Sequence, residues 1–300
     1  MKHISGILAL SIALSLCGYS QEITLDKIIK KGATLEKLSG EFTFTEGPSS
    51  DKDGNVYFTD QPNDRIMVWK TTGSLETFMQ PSGRSNGMAF DKEGYLWTCA
   101  DEKNEIWKID MNKNVQKFPF TYNDSILNGP NDLWIAPNGG IYFTDPYFQR
   151  PWWEHTSMPQ EFQGVFYISP DMNTITQVAT DLKKTNGIVG SPDGKTLYVA
   201  DAGDKKTYKY SVLENGNIGD KTLFCEMGSD GMTIDSKGNI YLTGKGVTIF
   251  DKTGKEIGNI PVPERWTGNV CFGDKDLKSL YITASTGLYK IRLKIKGTKE

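Results

Sequence analysis

The chain of 300 residues predicts an all-β fold, a six-bladed β-propeller, on three observations. One spacing of seven residues recurs six times. The recurrences stand 40, 45, 55, 44 and 39 residues apart, a period that suits propeller blades. No segment of helical length keeps a 3.6-residue apolar period.

Each copy opens on a polar pair, reaches a turn residue seven positions after the pair's second member, and continues into an aromatic. Glu46-Gly47 leads to Gly54 and Tyr57, and Asn86-Gly87 to Gly94 and Trp97. Asn131-Asp132 leads to Gly139 and Tyr142, Asn186-Gly187 to Gly194 and Tyr198, and Asp230-Gly231 to Gly238 and Tyr241. The sixth, Asn269-Val270, places Leu277 at the turn and then Tyr281. Short apolar runs meeting turns such as Asp53-Gly54 and Asp193-Gly194 read as hairpins. Second strands follow, for example Val56 to Thr59 and Leu197 to Ala200. Third strands are expected at Ile66–Trp69, Glu105–Ile109, Val165–Ile168, Thr207–Tyr210, Val247–Phe250 and Leu288–Ile291. Outer strands are expected at Gly73–Phe78 and Lys255–Ile260. The last repeat has no fourth strand beyond Leu293. A strand around Ala33 to Leu38 can supply it, closing the ring and removing free sheet edges.

The N-terminus reads as a secretory signal over residues 1–20. Lys2 and His3 precede an apolar stretch, Ile4 to Leu16, and small residues run to Ser20. That stretch is short of the ~20 residues a membrane span requires. The protein is therefore expected to be exported, periplasmic or extracellular, with residues 21–300 forming one domain. Lipid attachment at Cys17 is the alternative, because Leu14-Ser15-Leu16-Cys17 resembles a lipoprotein box. Cys99, Cys225 and Cys271 lack zinc-ligand spacing and read as buried free thiols. Lys and Arg number 34 against 37 Asp and Glu, so no basic surface points to nucleic acid.

First strands of propeller blades line the central channel in a common direction, so Glu46, Asn86, Asn131, Asn186, Asp230 and Asn269 are expected to converge at one mouth. Each brings a carboxylate or amide oxygen, and two negative charges match a divalent cation. Asn-Gly and Asp-Gly pairs are also ordinary turn signals. Here the turn lies seven residues later, so the opening pair is not needed for it, and the adjacent glycine lets backbone approach a ligand closely. An all-oxygen set favours calcium, then magnesium or manganese. A water-mediated polar network is the alternative filling. The longest interval contains an insertion, Asp145 to Gly164, with Tyr147, Phe148, Trp152, Trp153 and His155. Its aromatics and His155 either contact substrate from a lid or pack the loop on the rim. No Gly-x-Ser-x-Gly elbow accompanies His155.

These residues resemble the gluconolactonase, regucalcin (senescence marker protein) and luciferin-regenerating enzyme family of six-bladed propellers. The similarity is carried by FTEGP at Phe44–Pro48, LNGPNDL at Leu127–Leu133, FTDPY at Phe143–Tyr147, TNGI at Thr185–Ile188, SDGM at Ser229–Met232 and GLYKI at Gly287–Ile291. The resemblance implies a metal-dependent hydrolase opening sugar lactones. Its metal ligands would fall on Glu46, Asn186 and Asp230, with Asn131 as a fourth position, and Asp230 would double as general base. It implies one divalent cation, with zinc and iron joining calcium, magnesium and manganese as choices. Substrate contacts are expected at Asn86, Asn128, Tyr147 and His155. Regucalcin-like members carry an Arg where this chain has Gly129, so sugar recognition must differ, and Asn128 and the lid residues are candidates for it. Rival readings are hydrolysis of another lactone or an organophosphate, or a non-catalytic propeller binding carbohydrate or protein.

Overall fold

A computed structural model describes residues 24–298. The expected leader, residues 1–20, and Cys17 lie outside the described residues. Six four-stranded antiparallel sheets are present, five of them in simple chain order from inner to outer strand. Blade 1 comprises Thr45–Ser50, Val56–Asp60, Arg65–Trp69 and Leu75–Met79. Blade 2 comprises Ser85–Phe90, Leu96–Ala100, Glu105–Ile109 and Val115–Phe118. Blade 3 comprises Leu133–Ile135, Ile141–Thr144, Val165–Ile168 and Ile175–Ala179. Blade 4 comprises Thr185–Gly190, Thr196–Asp201, Lys206–Val212 and Ile218–Cys225. Blade 5 comprises Met232–Ile234, Ile240–Gly244, Gly246–Phe250 and Glu256–Ile260.

Blade 6 takes Asn269–Gly273, Ser279–Ala284 and Gly287–Arg292 from the C-terminal end and Glu36–Ser39 from the N-terminal end. Glu36 pairs with Lys290, Lys37 with Tyr289 and Ser39 with Leu288. The expected closing strand is thus real but starts three residues later than Ala33, because residues 31–32 turn and Gly32 adopts a positive φ of 79°. Gly73 likewise sits in a turn at φ 89°, which moves the outer strand of blade 1 to Leu75–Met79. One helical turn, Leu25–Ile28, precedes the ring and seats the fully buried Ile28 in the blade 6 core. No helix among the described residues is long and apolar enough to cross a membrane.

Apolar side chains between adjacent sheets hold the ring together. Trp134, Tyr142 and Tyr167 of blade 3 pack with Ile188, Leu197 and Val199 of blade 4. Tyr57 and Val68 of blade 1 pack with Met88, Phe90 and Trp107 of blade 2. Cys99, Cys225 and Cys271 are buried within these layers.

The seven-residue spacing has a structural meaning. In blades 1, 2 and 4 the register slips between Glu46 and Ser49, Ser85 and Met88, and Thr185 and Ile188. The opening pair therefore sits in a β-bulge, which re-aims the side chain away from the sheet's alternation. In blades 3 and 5 Asn131 and Asp230 lie two residues before the regular strand rather than inside it. Blade 6, with Val270 in place of glycine, pairs regularly from Asn269 onward. The glycine serves strand packing rather than ligand approach. A Cβ on Gly47, whose φ is 46°, would lie 1.9 Å from the Asn86 carbonyl oxygen, and one on Gly231 would lie 1.9 Å from Asn269 Cγ.

Candidate functional site

Inner strands neighbour one another in the order blade 1 to 6 and back to 1, so their opening residues ring the axis at one mouth. The loops between second and third strands, and those preceding each inner strand, emerge at that same mouth because adjacent strands are antiparallel. Glu46, Asn86, Asn131 and Asn186 are all buried there, and Asp230 keeps part of its surface open.

Glu46, Asn186 and Asp230 come together. Asn186 Nδ2 donates to Asp230 Oδ1 at 2.7 Å, and the buried Asn186 Oδ1 has no partner among the described residues. Glu46 Oε2 accepts the Gly47 backbone N–H at 3.0 Å. Burial, the neighbouring Asp230 charge and Asp132 together push the Glu46 carboxyl well above the usual range. Burial also raises Asp230, opposed by hydrogen bonds from Trp266, Glu46 and Asn186 and by the charge of Arg150. Two acids in reach of one another, one of them buried, favour a proton or a cation between them. The Asn86 and Asn131 side-chain amides make no hydrogen bond among the described residues. The unsatisfied Asn186 oxygen beside two repelling carboxylates fits a hard divalent ion, which takes oxygen donors. Among the described residues no group of three or more His, Cys, Asp or Glu side chains is placed to hold a metal. The candidate donors are of a different kind, two carboxylates supplemented by asparagine amides.

Asn269 does not join this set. Its Oδ1 accepts the Val270 N–H at 2.8 Å, and its Nδ2 reaches Asp132 Oδ2 at 3.2 Å. Asp132 belongs to blade 3 and Asn269 to blade 6, so this contact spans the channel between opposite blades and floors the site. Asp132 is the one acidic residue in a place where four other copies have glycine, and that substitution is its signal in the sequence.

Asn128 is fully buried, and both polar ends of its amide are committed to protein. Its Nδ2 donates to the Asp145 and Phe162 carbonyls at 3.1 and 2.9 Å, and its Oδ1 accepts the Gln160 N–H at 2.8 Å. It therefore positions the insertion and has no group left to offer a substrate. Tyr147 and His155 cluster with Trp153, whose ring stacks on His155 at 4.8 Å and lies 5.8 Å from Tyr147. His155 Nε2 is buried without a partner among the described residues. Two further residues enter the site from loops. Trp266, about half exposed, donates its indole N–H to Asp230 Oδ2. Arg150 is anchored by Asp101, with Nε 2.8 Å from Oδ2. Neither falls in the repeat, so no spacing pointed to them.

Fold and site define a class, a six-bladed propeller with a cluster of oxygen donors at one end of its axis. The chain belongs to the SMP-30/gluconolactonase/LRE-like family, which it matches over residues 44–286. It is 29% identical to a gluconolactonase of Zymomonas mobilis, an alignment covering 91% of this chain and 85% of that one. A solved gluconolactonase of Xanthomonas campestris superposes with a TM-score of 0.83 at 28% identity, covering 91% of this chain and 94% of the other. A calcium-binding regucalcin of Agrobacterium tumefaciens shares the fold at a TM-score of 0.74 and 18% identity, covering 89% and 96%.

Proposed function

We propose that the chain is an exported, divalent-metal-dependent hydrolase that opens a sugar lactone to its aldonic acid. The observation that carries this reading is the cluster itself: the buried Glu46 and the partly open Asp230 held together beside an Asn186 oxygen that no group among the described residues satisfies. The likeness to gluconolactonases supports the substrate class. Glu46, Asn186 and Asp230, with Asn131, would hold the ion, calcium first by donor chemistry. A bound divalent cation supplies Lewis-acid polarisation of the lactone carbonyl.

The chain's own residues do the rest. Asp230 is open to the mouth, and the Trp266 indole and the Asn186 amide orient its carboxylate. It takes a proton from water as the water oxygen bonds to the carbonyl carbon. The Asn86 amide, which takes no part in holding the ion, supplies an N–H donor for the oxygen on which negative charge develops. Breaking the ring C–O bond releases an alkoxide, which recovers the proton from Asp230. The hydroxy acid leaves and Asp230 is again a carboxylate. Tyr147, Trp153 and His155 form an aromatic wall on the insertion, where a sugar face can pack.

The test is lactone hydrolysis by chelator-stripped protein, followed by return of single divalent ions. Activity that is lost and then restored supports the reading; an unchanged rate in excess chelator removes it. Export rests on residues 1–20, and the N-terminal mass of protein recovered outside the cytoplasm separates cleavage before Gln21 from lipid attachment at Cys17.

A further inference from the structure

Blade 2 departs from a carboxylate staple that blades 1, 3 and 4 share. In those blades the Asp at the end of the second strand accepts two consecutive backbone N–H groups from the incoming chain. Asp60 holds Thr43 and Phe44 at 3.0 and 3.2 Å. Asp145 holds Asn128 and Gly129 at 2.9 and 2.8 Å, and Asp201 holds Lys183 and Lys184 at 2.8 and 3.0 Å. Asp101 is the corresponding residue of blade 2. There the incoming backbone is held instead by Asp64 of blade 1, which accepts the Ser82 and Arg84 N–H groups at 2.9 and 2.7 Å.

Relieved of that task, the buried Asp101 grips the insertion of blade 3. Its Oδ2 accepts Arg150 Nε and Gln61 Nε2, each at 2.8 Å, and its backbone carbonyl accepts Trp153 Nε1 at 2.6 Å. The insertion can dock here because residue 129 has no side chain. A Cβ on Gly129 would lie 2.7 Å from the Trp153 ring and 3.3 Å from Asp101 Oδ1.

The latch uses only one edge of the guanidinium. Arginine–carboxylate pairs frequently engage through two parallel N–H bonds. Arg150 is fixed through Nε, and its four Nη–H donors make no hydrogen bond among the described residues. The group lies 5.8 Å from both the Phe148 and Trp152 rings, so aromatic surface limits its swing. About a fifth of the side chain is exposed, and its charge acts on Asp230 at the mouth. A largely desolvated, pre-oriented fork with unused donors, its charge felt by the carboxylate at the mouth, is built to read oxygen atoms on a bound molecule.

We propose that Arg150, latched by Asp101, is the specificity-determining residue of the site, reading the hydroxyl oxygens of a polyhydroxylated lactone and the carboxylate of its product. This rests on the lactonase reading above. The test compares kcat/KM for glucono-δ-lactone with that for δ-valerolactone, a lactone of the same ring size without hydroxyls. Arg150→Gln is expected to lower the ratio of the two values by about 10- to 100-fold, the loss of a charge-assisted hydrogen bond. Arg150→Lys, which keeps the charge without the fork, recovers only part of that ratio. Asp101→Asn, which loosens the latch, moves the ratio in the same direction. A ratio unchanged in Arg150→Gln, with both lactones slowed together or neither slowed, makes the arginine a structural clamp and overturns the proposal. Should the wild type open neither lactone, the lactonase reading fails, and gluconate binding by calorimetry decides the role of Arg150. Binding lost in Arg150→Gln then supports it, and equal binding, or none to the wild type, overturns it.

Discussion

Replacing Glu46 by Gln is expected to stabilise the protein in chelator while abolishing its response to divalent ions. The side chain is buried, and Asp230 and Asp132 act on it as like charges. Two carboxylates in hydrogen-bonding reach repel by about 4 kcal/mol at an effective dielectric constant of about 20. Proton uptake caps that cost: holding a carboxyl with an ordinary value of 4.5 protonated at pH 7 takes up to about 3 kcal/mol. Gln keeps an oxygen that can accept the Gly47 N–H, losing about 1 kcal/mol of charge-assisted bonding. The net gain is about 1–2 kcal/mol, or about 2–8 °C in Tm for a domain of this size. The direction with pH follows from linkage. A carboxyl raised in the folded state contributes stability below about pH 4.5 that is lost as pH rises, so the variant's advantage grows with pH. The assay is thermal unfolding in chelator at pH 5 and pH 8, repeated with added calcium. A cation that binds only the folded state raises the wild-type Tm by mass action. A Glu46→Gln protein that is less stable in chelator, or that keeps the full calcium-induced rise, refutes the reasoning.

Asp230→Asn is isosteric and is expected to keep the fold while lowering kcat by about 10²–10⁴, the range for loss of a general base; full turnover would remove it from that role. Deleting the chain up to residue 40 strips the outer strand of blade 6 and the buried Ile28, worth about 2–5 kcal/mol alone. Loss of the half-buried Leu25, Ile29 and Leu35 brings the total near the whole stability of a domain, about 5–15 kcal/mol. Circular dichroism and gel filtration should show an unfolded or aggregated product, and a folded monomer would contradict closure. Asp145 is fully buried and raised to about 7 by burial, against the pull of the Gly129 and Asn128 N–H groups. Its contribution to stability is therefore lost as pH climbs from about 4 to about 7, by up to roughly 4 kcal/mol. Urea titrations should show a flatter pH dependence in Asp145→Asn, and identical slopes would count against the assignment.

Much of the fold could be read from the chain because a propeller is a sum of local units. Each hairpin turn and alternating strand is set by neighbours within about ten residues, so Glu105–Ile109 and Val165–Ile168 were readable to the residue. The opening residues Glu46, Asn131, Asn186 and Asp230 were visible for the same reason, as fixed positions in a repeating unit. Asn269 shows the limit of that signal. It keeps the repeat position, yet Val270 removes the bulge and its amide turns to Asp132 instead.

Sequence alone thus determined the number of blades, the seam that joins the two ends of the chain and the polar residues opening each inner strand. All of these follow from spacing, turn chemistry and apolar alternation along the backbone. Only the tertiary structure decided which of those residues meet, that Asn128 spends its amide on the insertion, that Trp266 reaches Asp230, and that Arg150 is latched by Asp101. Those contacts join loops of different blades, and ring closure, which local pattern does not encode, sets the distances between them.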